Sequence, residues 1–415
     1  MPQTAMPTAT YAQRIAFVCE TASRLHTYGT TAQRLEGAVV ALSTRLGLDC
    51  EPWSNPTGLI LSFSDPSRPL GASDTTRVIR LAPGDNDLYK LGESDRIAEA
   101  VAGGAMSIAQ GHTALRSLDS KPSLRWRATQ LLAFALASGA VAGLWRLPWI
   151  DIATATLIGL LIGVMSVLNE KRPRLREASD AVSGLVAGIV AVLVSTLIQP
   201  LNLNSVIIAS LVVLLPGMTL TNAVNELTSG HLVSGTARFA GAIATILKLT
   251  VGTMIALTLA QLFGLYPEVR ALRPQPDWVE WTSLVLAAYA FAVLFKAHRR
   301  DYGWVMAAAI CGYLISRFAG GAWGSPVGIF LSALTLTAAG NLFARLANKP
   351  GAIIRVPGII MLVPGSNSLR GVISLMQQQD VVVGNTALMA VVNIVMALVA
   401  GLLFGNLLLP ARKNL

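Results

Sequence analysis

Long apolar runs follow one another along the chain from about residue 128 to its end. About 20 predominantly apolar residues are enough to cross a bilayer as an α-helix. By that measure we predict ten spans, at residues 128–147, 150–168, 180–199, 204–222, 236–264, 280–297, 303–318, 326–344, 357–376 and 384–409. The pattern indicates an all-α membrane domain.

Residues 10–120, ahead of these runs, are ordinary in polarity. Their periodicity predicts helices at 11–28, 31–46, 87–103 and 105–117 and short strands at 49–53, 58–63 and 75–81. Gly29 and Gly47 stand where the first two helices would end. We therefore expect a small α+β domain at the N-terminus, with enough apolar residues for its own core.

The short connections between spans lie alternately on the two sides of the membrane, and the basic residues are concentrated on one side. One side carries residues 121–127, 171–176, 231–238, 296–300, 345–355 and 412–413, and the opposite loops are poor in Lys and Arg. Because basic loops face the cytoplasm, we expect both termini there and the chain in a bacterial inner membrane. The predicted organisation is a disordered start (1–9), a cytoplasmic α+β domain (10–120), a basic linker (121–127), a ten-helix transport domain (128–410) and a cytoplasmic tail (411–415).

Composition narrows the function classes. Hydrophobic residues make up 53% of the chain and charged residues 13%, against about 25% charged in soluble proteins. The net charge of +10 could indicate nucleic-acid binding, but its clustering in loops favours the lipid bilayer as partner and argues against nucleic acid.

No cofactor, metal or enzyme constellation is predicted. The three cysteines and four histidines are scattered without metal-ligand spacing, and the sequence has no Walker P-loop. Residues 1–11 lack a basic stretch followed by an apolar core, so no cleavable signal peptide is expected and the first span would direct insertion.

A repeated passage is the most informative motif. Residues 214–222 (LLPGMTLTN) and 362–368 (LVPGSNS) each place a Pro-Gly pair in an apolar span. Each pair is followed by a polar stretch, and the next span then opens with Thr-Ala. The two passages occupy matching places in two five-span halves, 128–264 and 280–409, so the second half would enter the membrane from the opposite side. Interrupted helices at matching positions of inverted repeats mark substrate sites in secondary transporters. The alternative is that both pairs only kink their helices.

Polar and ionisable residues near these breaks are the candidate site. Lys248 lies in mid-span, where a charge is costly, unless it snorkels to an interface. Glu226 follows the first break and is a candidate proton carrier, unless it is a solvated loop residue. The candidates for substrate binding are Pro216, Gly217, Thr219, Asn222, Asn225, Lys248, Pro364, Gly365, Ser366 and Asn367, and those for proton coupling are Glu226 and Asp380.

Residues 28–36 (YGTTAQRLE) and 56–63 (PTGLILSF), together with 76–88 and the Pro-Gly spans, resemble the threonine/serine exporter family, ThrE, over essentially the whole chain. The resemblance implies export of small amino acids, driven by the proton motive force, with the substrate and protons as partners. Its substrate contacts cannot be carried over residue by residue.

Other functions stay open at this point. A dicarboxylate exporter or channel on the same scaffold is one alternative, and a membrane-anchored hydrolase using the N-terminal domain is another. Arg34 and Glu36 are two apart on one predicted helix and do not face each other, so each would pair elsewhere or serve as a surface contact. Small residues at 184–188 could pack helices within one chain or between chains of a homo-oligomer.

Overall fold

The computed structural model describes residues 9–67, 69, 74–119, 123–169, 172–268, 273–347, 349–362, 369–373 and 381–410. The predicted helices and strands lie within a few residues of the elements seen there. The N-terminal unit contains α1 (Tyr11–Thr27), α2 (Ala32–Arg45), β1 (Asp49–Asn55), β2 (Gly58–Ser64), β3 (Thr75–Arg80), α3 (Leu88–Ala102) and α4 (Ile108–Ser117).

The three strands form an antiparallel sheet in the order β1-β2-β3. A tight turn pairs Asn55 with Gly58 and sets the register of the first hairpin. The central strand, β2, alternates, so that Leu59, Leu61 and Phe63 are buried against the helices. This face joins apolar residues of all four helices in one core.

The membrane part consists of α5 (Leu124–Leu144), α6 (Trp149–Asn169), α7 (Pro173–Leu197), α8 (Leu203–Ser210), α9 (Gly217–Thr228), α10 (Leu232–Leu262), α11 (Asp277–Leu294), α12 (Tyr302–Trp323), α13 (Ser325–Ala347), α14 (Ala352–Ile360) and α15 (Val381–Leu408). Among the described residues, eight helices are long and apolar enough to cross a membrane, or nine if the bent pair α8 and α9 counts as one span. The remaining predicted span, 357–376, begins in α14, and its residues 363–368 and 374–376 lie outside the described residues.

Glycine allows close packing between helices, as two helix pairs illustrate. A Cβ on Gly252 of α10 would lie 1.9 Å from the Ala181 carbonyl oxygen of α7, and one on Gly401 of α15 would lie 2.6 Å from the Phe330 carbonyl oxygen of α13. Such positions require glycine because the backbones approach too closely for any side chain.

Helices α5 and α11 end in the same way. Arg146 and Lys296 follow their last turns in the left-handed region, at φ 55° and 54°, and the next N–H donates back to the carbonyl of Ala142 in one case and of Ala292 in the other. This is the hydrogen-bond pattern of a Schellman cap. A basic residue, not the usual glycine, occupies the strained position in both helices.

The N-terminal unit packs on one end of the helix bundle. The N–H groups of Leu88 and Tyr89, at the start of α3, donate to the carbonyls of Phe295 and Lys296 at the end of α11. Ala352 of α14 belongs to the core of the N-terminal unit. The unit is therefore joined to the bundle by backbone hydrogen bonds and by shared apolar packing.

Candidate functional site

The span carrying the first Pro-Gly pair is interrupted. Helix α8 ends at Ser210, a 3₁₀ turn covers Val212–Leu214, and α9 begins at Gly217, with a bend of 54° between the two parts. Pro216 has no N–H to donate, so the helix cannot run through it without losing a hydrogen bond. Pro216 and Gly217 are both buried at the break.

Two cavities meet at this interruption. The larger, with an empty volume of about 1850 Å³ partly open to solvent, extends toward Arg127 and Lys296 at the end of the bundle that carries the N-terminal unit. The smaller, of about 800 Å³, includes Gly217 and Tyr313. Both are lined by the same four apolar residues, Val212, Leu215, Phe291 and Ile360. We call these four the apolar constriction.

A third cavity, with an empty volume of about 870 Å³, lies on another face of α9 between the N-terminal unit and the bundle. Its lining includes polar side chains from α2, the turn before α3, α9, α14 and α15, among them Arg34, Asn86, Asn222, Asn225, Arg355 and Asn406. Asn222 and Asn225 are three apart in α9 and so share a face of the helix. Two of the predicted substrate-binding residues are therefore brought together here.

Arg34 brings to this third cavity a positive charge that no described acidic residue pairs with. Desolvation by burial lowers the pKa of its guanidinium to about 10. Arg34 thus remains protonated at neutral pH. It lies in the first turn of α2, where the positive end of the helix dipole adds to its charge, and the N-cap Thr31 makes no side-chain hydrogen bond to that turn.

Glu226 lies on the side of α9 that faces α2 and α10. Its side chain is fully buried, so the alternative of a solvated loop residue is wrong. One oxygen accepts from the Ala32 N–H at 2.9 Å and the other from Ser234 Oγ at 2.7 Å. Arg238 Nε donates to both oxygens, at 3.1 and 3.0 Å. This carboxylate therefore joins α9, α10 and the N-terminal unit.

Glu36 forms a second link between the same elements. One of its carboxylate oxygens accepts from the Ser54 N–H at 2.8 Å, and the other lies 3.0 Å from His231 Nε2 at the start of α10. His231 Nδ1 lies 3.2 Å from Ser229 Oγ. Glu36 is thus a contact between α2 and the α9–α10 connection, not an isolated surface charge.

Other predicted site residues lie apart from these groups. Lys248 is half-exposed, with Nζ 3.9 Å from Asp180 Oδ2 of α7 and 3.4 Å from the Glu177 carbonyl, and it lines none of the three cavities. Thr219 is partly buried in α9. Pro364, Gly365, Ser366, Asn367 and Asp380 lie outside the described residues.

Two charged groups outside the predicted site lie in a cavity lining or next to a residue that lines a cavity. Arg355, in a predicted basic loop, lines the third cavity with Arg34. Glu280 is buried at the start of α11, accepts from the Tyr313 hydroxyl at 2.7 Å, and is paired with Arg317. An acid in the first turn of an apolar span was the available signal for Glu280.

The chain matches known protein families over most of its length. Residues 16–260 match the family model ThrE, described as "Putative threonine/serine exporter", and residues 281–408 match a second model, "Threonine/Serine exporter, ThrE". No solved structure matches the chain.

Individual relatives are distant. The threonine/serine exporter of Corynebacterium glutamicum is 25% identical over 339 residues, which cover 78% of this chain and 67% of that protein. The "Probable threonine/serine exporter" of Mycobacterium tuberculosis is 23% identical over 337 residues, covering 78% of this chain and 63% of that protein. "Pheromone-regulated membrane protein 10" of Zygosaccharomyces rouxii is 23% identical over 363 residues, covering 85% of this chain. The chain spans only 36% of that fungal protein's length.

Proposed function

The chain belongs to the threonine/serine exporter family, and on that premise we propose that it exports small amino acids such as threonine and serine across a bacterial inner membrane, driven by the proton motive force. The observation that carries the proposal is the interrupted span between α8 and α9. It lies between two cavities that share the apolar constriction. A path closed by a few apolar side chains suits alternating access, because small movements of broken helices open one cavity or the other.

The inverted-repeat plan supports this mechanism. Residues 140–146 (AVAGLWR) end α5 and residues 290–296 (AFAVLFK) end α11, and both stretches finish in the same cap with a basic residue at positive φ. Glycine-mediated contacts join α7 to α10 in the first half and α13 to α15 in the second. The third and fifth helices of each half are thus joined by the same kind of close contact at a glycine. We infer two repeats of opposite orientation, with the second break at Pro364-Gly365.

The orientation follows from charge. The N-terminal unit packs where the basic connections lie, near His231 and Lys296, and basic connections face the cytoplasm. We therefore place this unit and both termini in the cytoplasm. The larger cavity then opens toward the cytoplasm, as an exporter needs for loading its substrate.

Proton coupling is assigned to Glu226. It is a buried carboxylate in the half-helix α9, next to the face that carries Asn222 and Asn225. A change in its charge would alter its contacts with Arg238 and with α2. Proton binding could in this way alter how α9 is held.

Transport into inverted membrane vesicles tests the proposal. We expect uptake of radiolabelled threonine that requires a proton gradient. Leu215→Trp should abolish it by filling the apolar constriction, whereas Leu193→Trp, on an exposed face of α7, should leave it unchanged. Wild-type vesicles that take up no threonine with a gradient present would overturn the proposal.

A dicarboxylate is the second candidate substrate. It is favoured by Arg34 and Arg355, which bring two positive charges to a cavity whose described lining contains no acidic residue. Uptake of labelled succinate in the same vesicles, without uptake of threonine, would select it.

A further inference from the structure

We propose that the third cavity, between the N-terminal unit and α9, α14 and α15, is a carboxylate-binding site in which Arg34 and Arg355 hold the carboxylate of the exported amino acid. The proposal rests on the proposed function, because that function identifies the ligand. It adds a site separate from the apolar constriction and gives the N-terminal unit a part in binding substrate.

The charge balance of the cavity favours an anion. Arg34 and Arg355 both line it, and neither is ion-paired within the described part of the chain. Both side chains are only partly exposed, and a partly desolvated guanidinium without a counter-charge gains from a ligand that supplies that charge. Guanidinium groups bind carboxylates through paired, charge-assisted hydrogen bonds. The first turn of α2 contributes Gln33 and Arg34 to the lining of this cavity, while its Ala32 N–H already donates to Glu226.

The amides of the cavity suit the rest of an amino acid. Asn406 accepts a hydrogen bond from Asn341 Nδ2 at 2.9 Å, so its own amide N–H groups remain to donate. The side chains of Asn222 and Asn225 have no hydrogen-bond partner within the described residues, and each offers one acceptor and two donors. Amide oxygens can accept from an ammonium or hydroxyl group, as threonine and serine carry.

The hydroxyl of Thr30, in the same cavity, also lacks a hydrogen-bond partner among the described residues. Thr30 is 8% exposed. A buried hydroxyl without a partner is unfavourable, and a bound polar ligand would offset that cost. Gly29, at φ +87°, keeps this turn close to Asn86, because a Cβ there would lie 2.7 Å from Asn86 Oδ1.

Ligand binding to the purified full-length protein in detergent tests the site without requiring transport. Binding stabilises the folded protein, so thermal unfolding at increasing ligand concentration gives an apparent Kd. The probes are L-threonine, L-threonine methyl ester and succinate. The variants are Arg34→Gln and Arg355→Gln, with Arg45→Gln as control, because Arg45 lies on the same helix as Arg34 and pairs with Glu99 at the surface.

We expect threonine to stabilise the wild type and the methyl ester, which has no carboxylate, to do so at least about tenfold more weakly. Arg34→Gln and Arg355→Gln should weaken threonine binding by a similar factor, and Arg45→Gln should not. An ester that binds the wild type as well as threonine overturns the site, and this comparison requires no variant to fold.

Threonine transport by wild-type proteoliposomes, measured in parallel, separates this proposal from the proposed function. If the wild type transports threonine and both arginine variants bind it unchanged, the site is wrong and the exporter stands. If succinate binds in an Arg34-dependent manner and threonine neither binds nor is transported, the carboxylate site stands and the amino-acid substrate is wrong.

Discussion

The backbone N–H of Ala32 donates a hydrogen bond to the carboxylate of Glu226 at 2.9 Å, across 194 positions of the chain. Glu226 thus supplies an acceptor to the first turn of α2, where the residue at the N-cap supplies none. Its remaining contacts are with Ser234 and Arg238 of α10. Any movement of α9 at the break is therefore transmitted to the N-terminal unit.

Glu226→Gln should destabilise the protein because it leaves Arg238, 14% exposed in its side chain, without a counter-charge. Breaking a buried ion pair by removing one partner costs about 3 kcal/mol or more. We expect a clear fall in the midpoint of thermal unfolding. Glu99→Gln, which breaks an exposed pair with Arg45, should change it little, since surface pairs contribute about 0–1 kcal/mol.

The double variant Glu226→Gln/Arg238→Gln separates the pair from its surroundings. If the two side chains act on each other, the double variant should lose less stability than the sum of the two single variants. Strictly additive losses would contradict the role of this pair in holding α9 to α10.

Gly252→Ala should disrupt the packing of α7 on α10. The added Cβ would lie 1.9 Å from the Ala181 carbonyl oxygen, so the two backbones must separate, at a cost of about 1–3 kcal/mol or more. Gly241→Ala is the matched control on the same helix, because a Cβ there has nothing within 4 Å. Thermal unfolding of both variants checks this, and an equal effect of the two would contradict the close approach.

The sequence predicted the elements better than their contacts. Apolar periodicity placed the helices within a few residues, and Pro216 placed the break, because both depend on local chemistry. It could not show that Arg34 and Asn222 line the same cavity, since that depends on how the N-terminal unit packs on the bundle. The Glu226–Ala32 contact was equally hidden because a backbone N–H has no sequence signature. Lys248 was placed in mid-span, but only packing determines which face of α10 it occupies.

Tyr313→Phe should slow transport without affecting the carboxylate site. Its hydroxyl donates to Glu280, which is 3% exposed, and Tyr313 lines the smaller cavity beyond the apolar constriction. Removing one donor from a buried carboxylate costs about 1–3 kcal/mol and frees the Glu280–Arg317 pair to rearrange. We expect a several-fold lower threonine transport rate in vesicles, with threonine binding unchanged.

The control for this variant is Tyr289→Phe, which alters a tyrosine on an exposed face of α11 and should leave the transport rate unchanged. Equal rates for wild type and Tyr313→Phe would contradict a role of Tyr313 in the path.

His26 should make the stability of the protein sensitive to acid. Its side chain is 3% exposed, and burial, helped by the positive charge of Arg238, lowers the pKa of its imidazole below the ordinary value of 6.5. Near pH 6.5 the imidazole therefore binds a proton in the unfolded chain but not in the folded protein. The free energy of unfolding falls as the pH drops from 6.5 toward the lower pKa of the folded state, and His26 does not affect it above pH 6.5. In thermal unfolding between about pH 7.5 and 5.5, the wild type should lose more stability than His26→Gln as the pH falls. Curves that stay parallel over this range would show that His26 does not carry the acid sensitivity.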